Sequence, residues 1–168
     1  MIDAVRRTAF RRPTLFVSTA VTFVLIAALG AATVYAACGT ANYTVTSSAP
    51  PPSGNWTDTS GALWSPAGGF PGCASGDTAS DTNGSPTTIF VNSAIPNALA
   101  ALTLDCNGCS IVIGAGGSLS LDGPGIVGSG ASIQINGGTL NLGSSANLTM
   151  QSGSSISLSS PGTLNIGP

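Results

Sequence analysis

Short aliphatic pairs of the form apolar-x-apolar recur throughout the second half of this chain, and they constrain its fold more than any other feature. The residue between the two aliphatic positions is usually polar, so the alternation places the pair on one face of a short strand. Glycine, serine, asparagine and proline, which favour turns, separate the pairs. The pairs are Ile111 with Ile113, Leu119 with Leu121, Ile133 with Ile135, Leu140 with Leu142, Leu148 with Met150, Ile156 with Leu158, and Leu164 with Ile166.

The strands return in groups of three, at intervals of about 22–24 residues. A repeat of this length predicts an all-β chain folded as a right-handed parallel β-helix, with three strands in each coil. Equivalent side chains of successive coils then stack as ladders, about 4.8 Å apart. An antiparallel β-sandwich is the alternative, but it does not explain the repeat. The predicted ladders are Ile89, Ile111, Ile133 and Ile156; Leu119, Leu140 and Leu164; and Leu102, Ile126 and Leu148.

The N-terminal region has the pattern of an export signal. All four basic residues are arginines within the first twelve positions, and an apolar run over 15–32 follows them. This pattern predicts a hydrophobic helix that serves as a signal peptide over residues 1–36, cleaved after Ala36. An uncleaved signal anchor is the alternative, because the apolar run is long enough to span a bilayer. We therefore expect the rest of the chain to be secreted or displayed at the cell surface, with membrane contact only through this segment.

The rest of the chain is acidic and has no basic side chain. After residue 36 it contains five Asp and no Lys, Arg, His or Glu, so its formal charge is 0 − 5 = −5. Nucleic acid is excluded as a partner on electrostatic grounds, because neutralisation of phosphates requires Lys or Arg.

Four cysteines lie in the part predicted to be exported, namely Cys38, Cys73, Cys106 and Cys109. An even number of cysteines in an exported protein predicts disulfides. We expect Cys106 to pair with Cys109 across an Asn-Gly turn, and Cys38 to pair with Cys73. A redox-active C-x-x-C pair is the alternative, but that site requires a helix start in a βαβ unit, which this sequence does not show. A four-cysteine zinc site is disfavoured in an oxidising compartment.

Residues 37–86 differ in composition from the repeats that follow. They are rich in Ser, Pro and Gly and contain both tryptophans, Trp56 and Trp64. We expect an irregular N-terminal cap in which the tryptophans cover the first coil of a solenoid over 87–168; stacking of a sugar on these rings is the alternative. The sequence stops two strands into a coil without a capping pattern, so we expect either a truncated solenoid or an open end that self-associates.

Candidate residues for chemistry are few. The chain has no histidine, so its many serines lack the usual partner of a nucleophile–base pair. Asp77 with Asp81, and Asp105 with Asp122, are the carboxylate pairs that glycoside hydrolysis would require, although turn-capping or solvated carboxylates explain them more simply. A loose calcium site built from Asp77, Asp81 and Asn83 competes in the same way with an Asn-Gly turn. We expect a non-catalytic protein without a cofactor.

The cap and the first repeats together resemble a known kind of bacterial surface protein. The residues that carry the resemblance are Asn55-Trp56, Leu63-Trp64-Ser65-Pro66, Gly68-Gly69-Phe70-Pro71-Gly72, Gly76-Asp77-Thr78, Leu102-Thr103-Leu104 and the Gly-Ser-Leu-x-Leu repeats. Over residues 56–168 the sequence is similar to the N-terminal portion of autotransporter-type and filamentous-haemagglutinin-like β-helix passengers. The resemblance implies extracellular display or adhesion, with a cell-surface glycan or a matrix protein as partner, and it brings no catalytic residue. The alternative is the N-terminal part of a secreted polysaccharide-degrading β-helix enzyme whose catalytic coils lie beyond residue 168.

Overall fold

The computed structural model describes residues 38–46 and 53–168, so the predicted signal segment and its cleavage site at Ala36 lie outside the described residues. Within these two ranges there is no helix long and apolar enough to cross a membrane. The strands are β1 (Asn42–Val45), β2 (Gly54–Asn55), β3 (Trp64–Ser65), β4 (Thr78–Asp81), β5 (Thr88–Val91), β6 (Ala101–Leu104), β7 (Ser110–Gly114), β8 (Ser118–Leu121), β9 (Pro124–Val127), β10 (Ser132–Asn136), β11 (Thr139–Leu142), β12 (Asn147–Met150), β13 (Ser155–Ser159) and β14 (Thr163–Ile166).

The strands form three sheets that the chain visits in turn. The first sheet has the order β12-β9-β6-β4-β1-β3, the second has the order β13-β10-β7-β5-β2, and the third has the order β14-β11-β8. Neighbouring strands from successive coils pair in parallel in all three sheets. The described part of the chain is therefore an all-β, parallel-stranded solenoid of about four turns. This confirms the predicted parallel solenoid and excludes the antiparallel β-sandwich.

The strand register stacks aliphatic side chains into ladders inside the coils. In the second sheet, Ile111 pairs with Ile89 on one side and with Ile133 on the other. Ile133 in turn pairs with Ile156. In the third sheet, Leu140 lies between Leu119 and Leu164. Because equivalent side chains alternate with polar ones along each strand, the aliphatic rows share one buried core.

The third predicted ladder is wrong at Ile126. In the first sheet it is Gly125 that lies between Leu102 and Leu148. Ile126 pairs with Thr103 on the outer face and is 37 % exposed. A Cβ atom at Gly125 would come within 2.6 Å of Leu148 Cδ1, so the neighbouring leucine already occupies the space of a side chain there. A shift of one residue in register exchanges the two faces of a strand, and an interval measured between aliphatic residues does not detect such a shift.

Parallel pairing begins before the boundary at 86/87 that we predicted. Strands β1 and β4 belong to the first sheet and pair with each other, and β2 pairs with β5 in the second sheet. Between β2 and β4 the chain makes a long excursion that carries both tryptophans. Its strand β3 pairs antiparallel with β1 and is the outermost strand of the first sheet. The excursion therefore covers a sheet edge that would otherwise be unpaired.

The coil formed by β12, β13 and β14 is packed on one side only. These are the outermost strands of their sheets, and their aliphatic residues continue the inner rows of the preceding coil. The exposed fraction rises to 40 % for Met150, 56 % for Leu158 and 73 % for Ile166. The same kind of side chain is thus fully buried in the middle coils and partly solvated in this one.

Candidate binding surface

Asp77 is fully buried and acts as a hub for backbone N–H groups. Its Oδ1 accepts the N–H of Ala41 at 2.9 Å, and its Oδ2 accepts the N–H groups of Gly72 at 3.0 Å and Ala74 at 2.9 Å. A buried carboxylate satisfied by three donors fixes the conformation of the chain around it. Asp77 therefore joins the segment before β1 to the turn that precedes β4.

Asp81 has different hydrogen-bond partners from Asp77. These two carboxylates therefore do not form the paired site that the sequence suggested. The Asp81 carboxylate accepts the Thr87 hydroxyl and the backbone N–H of Asn83. The Asn83 side-chain amide donates to the Val45 carbonyl at 2.7 Å rather than turning its oxygen towards a shared cation. Asp77 and Asp81 are four residues apart along an extended strand, which separates their α-carbons by about 13 Å. The calcium candidate is therefore not assembled.

The second nominated carboxylate pair lies on the surface. Asp105 and Asp122 are both exposed, directly after the strands β6 and β8. Asp58 is also near the surface, where hydrogen bonds from the backbone and the hydroxyl of Ser60 hold the pKa of its carboxyl below its usual range. Each of these three carboxylates occupies a turn position.

Both predicted disulfides are present. Cys38 pairs with Cys73 and Cys106 pairs with Cys109, with α-carbons 5.7 Å and 5.5 Å apart. The sulfurs of Cys106 and Cys109 lie within 4.8 Å of an Asp81 oxygen. Because the two sulfurs are bonded to each other, they do not supply the thiolates that a metal site needs. Two disulfide-bonded pairs suggest an oxidising, extracellular environment.

Both tryptophans are buried, so their rings do not offer a stacking surface for sugars. Trp56 and Trp64 are each 1 % exposed and meet edge to face, with ring centroids 5.1 Å apart. The Trp56 indole N–H donates to the Pro71 carbonyl at 2.7 Å, and that of Trp64 donates to the Trp56 carbonyl at 2.8 Å. The two rings therefore contribute to the core of the N-terminal excursion.

Phe90, an exposed aromatic residue that the sequence analysis did not identify as a candidate, lies beside this core. In β5, Ile89 and Val91 point inwards and Phe90 points outwards, with 38 % of its surface exposed. Phe90 lies in a groove of about 210 Å³, which we name the Phe90 groove. Its lining is free of charged side chains and consists of Asn55, Trp56, Thr57, Phe90, Asn92 and Ser93.

A larger and more polar groove of about 530 Å³ lies on the outer face of the first sheet. Its hydroxyl groups come from neighbouring strands, because Thr44 pairs with Ser65 on one side and with Ser80 on the other. The row continues in the next coil, where Ser80 pairs with Thr103. We name this the threonine groove; it is lined by Thr44, Val45, Thr46, Ser65, Ser80, Thr82 and Asn83.

The outer face of the third sheet is also polar and neutral, and its side chains bond to one another between coils. The Asn141 amide donates to Ser118 Oγ at 3.3 Å and to Ser120 Oγ at 3.2 Å. The Asn165 amide donates to Asn141 Oδ1 at 2.8 Å. These contacts hold hydroxyl and amide groups in a fixed array across three coils.

Comparison of the chain with protein-family models, with curated proteins and with solved structures found no match. The resemblance to bacterial β-helix passengers therefore depends on the sequence pattern quoted above and is consistent with the solenoid fold.

Proposed function

We propose that this chain is a segment of an exported surface protein, with a structural and adhesive role rather than a catalytic one. The observation that supports this proposal is the composition of the outer faces. The Phe90 groove, the threonine groove and the third sheet all present uncharged hydroxyl and amide groups, held in parallel register by a continuous core. Such surfaces recognise partners through hydrogen bonds and shape, without strong long-range electrostatics.

The rigid spacing of these groups favours an extended partner. Equivalent outer residues repeat at the spacing of neighbouring strands, about 4.8 Å. A polysaccharide or an extended segment of a matrix protein can meet several of them at once. Because the groups are already ordered by the fold, binding costs less side-chain entropy than it would on a flexible surface.

The proposal includes the route to the surface. Residues 1–36 act as the export signal, residues 37–86 include the cap, and the coils that follow are right-handed, as parallel crossover connections almost always are. The likeness to autotransporter-type and filamentous-haemagglutinin-like passengers supports a location outside the cell, where disulfides persist.

Export is tested with the full chain expressed in a bacterium that has an oxidising periplasm. We expect the protein to be recovered outside the cytoplasm with no free thiol. A variant with Arg6→Glu and Arg7→Glu is expected to remain in the cytoplasm, because the positive n-region directs insertion of the signal. Equal recovery of both proteins from the cytoplasm contradicts the export proposal.

Adhesion is tested with the exported protein immobilised on beads. The probes are neutral polysaccharides, anionic polysaccharides, and collagen and fibrinogen as matrix proteins; beads carrying an unrelated exported protein of similar net charge are the control. We expect retention of at least one probe above the control, with no increase in reducing ends in the polysaccharide samples. New reducing ends support the polysaccharide-degrading alternative, and failure to retain any probe refutes the adhesive role.

A further inference from the structure

We propose that the Phe90 groove is a binding site for a neutral pyranose residue of a glycan. This inference deepens the proposed adhesive function and depends on it. Its starting point is the groove itself, in which a partly exposed aromatic ring lies among uncharged polar side chains, since small ligands bind in concave sites that combine apolar surface with a few polar groups. Among the large apolar residues exposed in the described ranges, Met150, Leu158 and Ile166 lie on the outermost strands, whereas Phe90 and Ile126 lie on inner strands. Of these two, Phe90 lines the groove that bears its name and lies on β5, next to β2.

The flat ring of Phe90 matches one face of a sugar. The C–H groups of a pyranose ring carry partial positive charge, and the face of an aromatic ring is electronegative. Phe90 pairs with Val112 in the next coil, and Val112 is the middle residue of Ile111-Val112-Ile113. The apolar seat is therefore a ring with an aliphatic neighbour, set among outer positions that are otherwise mostly polar.

Polar groups surround this seat. Asn55 pairs directly with Phe90 across the sheet, and the Asn92 side-chain amide donates to Asn55 Oδ1 at 3.2 Å. Each asparagine keeps further donor and acceptor capacity after making this bond. Thr57 and Ser93 add hydroxyl groups to the lining. An aromatic seat flanked by amides and hydroxyls is the usual composition of a site that orients a small polar ligand.

The groove is rigid before the ligand arrives. Trp56 lines the groove; its backbone N–H donates to the Phe90 carbonyl at 2.8 Å and its indole N–H donates to the Pro71 carbonyl. A preformed site loses little conformational entropy on binding. The volume of about 210 Å³ suits one sugar ring and leaves the rest of a glycan chain along the outer face.

Charge decides which class of sugar fits. The lining has no cation that could pair with a carboxylate or sulfate, and the part of the chain after residue 36 has no Lys, Arg or His. An anionic sugar would also be repelled by the five aspartates of that part. The groove therefore selects neutral hexose or pentose residues over uronic acids and sulfated sugars.

Oligosaccharides and their free monosaccharides, used as probes side by side, separate the possible sources of the sugar. Binding of the full exported chain is measured by calorimetry and by Trp fluorescence, because Trp56 is one of the residues that line the groove. The probes are soluble β-glucan, mannan and xylan oligosaccharides, the corresponding free monosaccharides, and alginate as an anionic control. We expect one neutral oligosaccharide to bind more tightly than its monosaccharide and alginate not to bind. Tight binding of the monosaccharide alone would assign the site to a free sugar and overturn the glycan inference.

Variants test whether the groove is the site. We expect Phe90→Ala to weaken the neutral oligosaccharide at least tenfold and Phe90→Trp to retain binding. Ile126→Ala is the matched control, because Ile126 is equally exposed on the first sheet (37 % against 38 %) and is expected to leave binding unchanged. Asn92→Ala is a second variant in the Phe90 groove. It changes an exposed polar side chain and leaves the apolar surface of the groove in place. Unfolding curves identify any variant that fails to fold.

The outcomes distinguish this inference from the adhesive role itself. If no neutral saccharide binds but a matrix protein is retained, the inference is overturned and the proposed function stands. If a saccharide binds equally well to the Phe90→Ala and Ile126→Ala variants, the glycan is bound elsewhere and the inference is overturned. If neither saccharides nor matrix proteins bind, both proposals are overturned.

Discussion

Replacement of Asp77 by alanine removes the acceptor for three backbone N–H groups at once. The donors belong to Ala41, which follows the first cysteine of the Cys38–Cys73 disulfide, and to Gly72 and Ala74, which flank the second. The carboxylate and the disulfide therefore hold the same junction. In the Asp77→Ala variant, one buried donor and two partly buried donors remain beside a space that one or two water molecules can fill only in part.

The expected loss follows from the number of bonds. A hydrogen bond to a charged group contributes about 1.5–3 kcal/mol, and a buried donor without a partner costs about 1–3 kcal/mol. Allowing for partial replacement by water, we expect the free energy of unfolding to fall by about 3–5 kcal/mol, which lies at the upper end for single substitutions. Asp77→Asn retains an oxygen for two of the donors and turns an NH₂ group towards the third. Its expected loss is about 2 kcal/mol.

The assay is urea unfolding of the oxidised protein, followed by far-ultraviolet circular dichroism and by Trp fluorescence. Both tryptophans lie in the excursion that Asp77 anchors, so the fluorescence transition reports on this region while circular dichroism reports on the coils. Asp122→Ala is the matched control, because Asp122 is exposed, and it should change the unfolding free energy by less than about 0.5 kcal/mol. A loss below about 1 kcal/mol for Asp77→Ala, or equal losses for the two alanine variants, refutes the argument.

Three further results are expected. Ile133→Ala should lower the free energy of unfolding by about 3 kcal/mol. Ile156→Ala, in the same ladder but in the outermost coil, should lower it by less than half of that amount. Equal losses of unfolding free energy in chemical unfolding would show that the coils do not differ in packing. Burial, and then the Asp77 charge, raise the pKa of Tyr43 above the ordinary tyrosine value of 10.0. The unfolded chain therefore loses the proton first, and the unfolding free energy should fall as the pH rises above about 10; Tyr43→Phe should remove this contribution in pH-dependent melting, and an unchanged alkaline slope would contradict it. Finally, the Cys38–Cys73 bridge spans 35 residues, so the Cys38→Ser, Cys73→Ser variant should lose about 3–4 kcal/mol, and a thermal midpoint within 2–3 °C of the parent would argue against this.

The parts of the fold that follow from periodicity were predictable. The isoleucine series through Ile111 and Ile133 repeats at a nearly constant interval, and constant intervals between like residues translate directly into parallel register. The face of a strand is harder to assign when two adjacent residues are apolar. Gly125-Ile126-Val127 fits the pattern in either phase, and the structure selects Val127 because it stacks on Leu104.

The candidate site was only partly predictable. Because Ile89 belongs to the predicted isoleucine ladder, the two-residue period of a strand was enough to place its neighbour Phe90 on the outer face, and this signal was available in the sequence. Its neighbour Asn55 was not, because the interval between the two is 90 − 55 = 35 residues and has no counterpart in the repeats. The contacts of Asp77 with Gly72 and Ala74 were not predictable for the same reason. These two residues lie in the excursion between β2 and β4, whose path is set by tertiary contacts and not by a sequence repeat.

The parallel register also defines how the molecule would respond to mechanical load. Successive coils are offset by 133 − 111 = 22 residues in the second sheet, so the detachment of one coil frees roughly 70 Å of extended chain. Tension applied along the solenoid axis loads the inter-coil hydrogen bonds of one interface at a time. The Cys38–Cys73 bridge withholds the segment between its two cysteines from extension. A chain built in this way yields in discrete lengths, one coil after another.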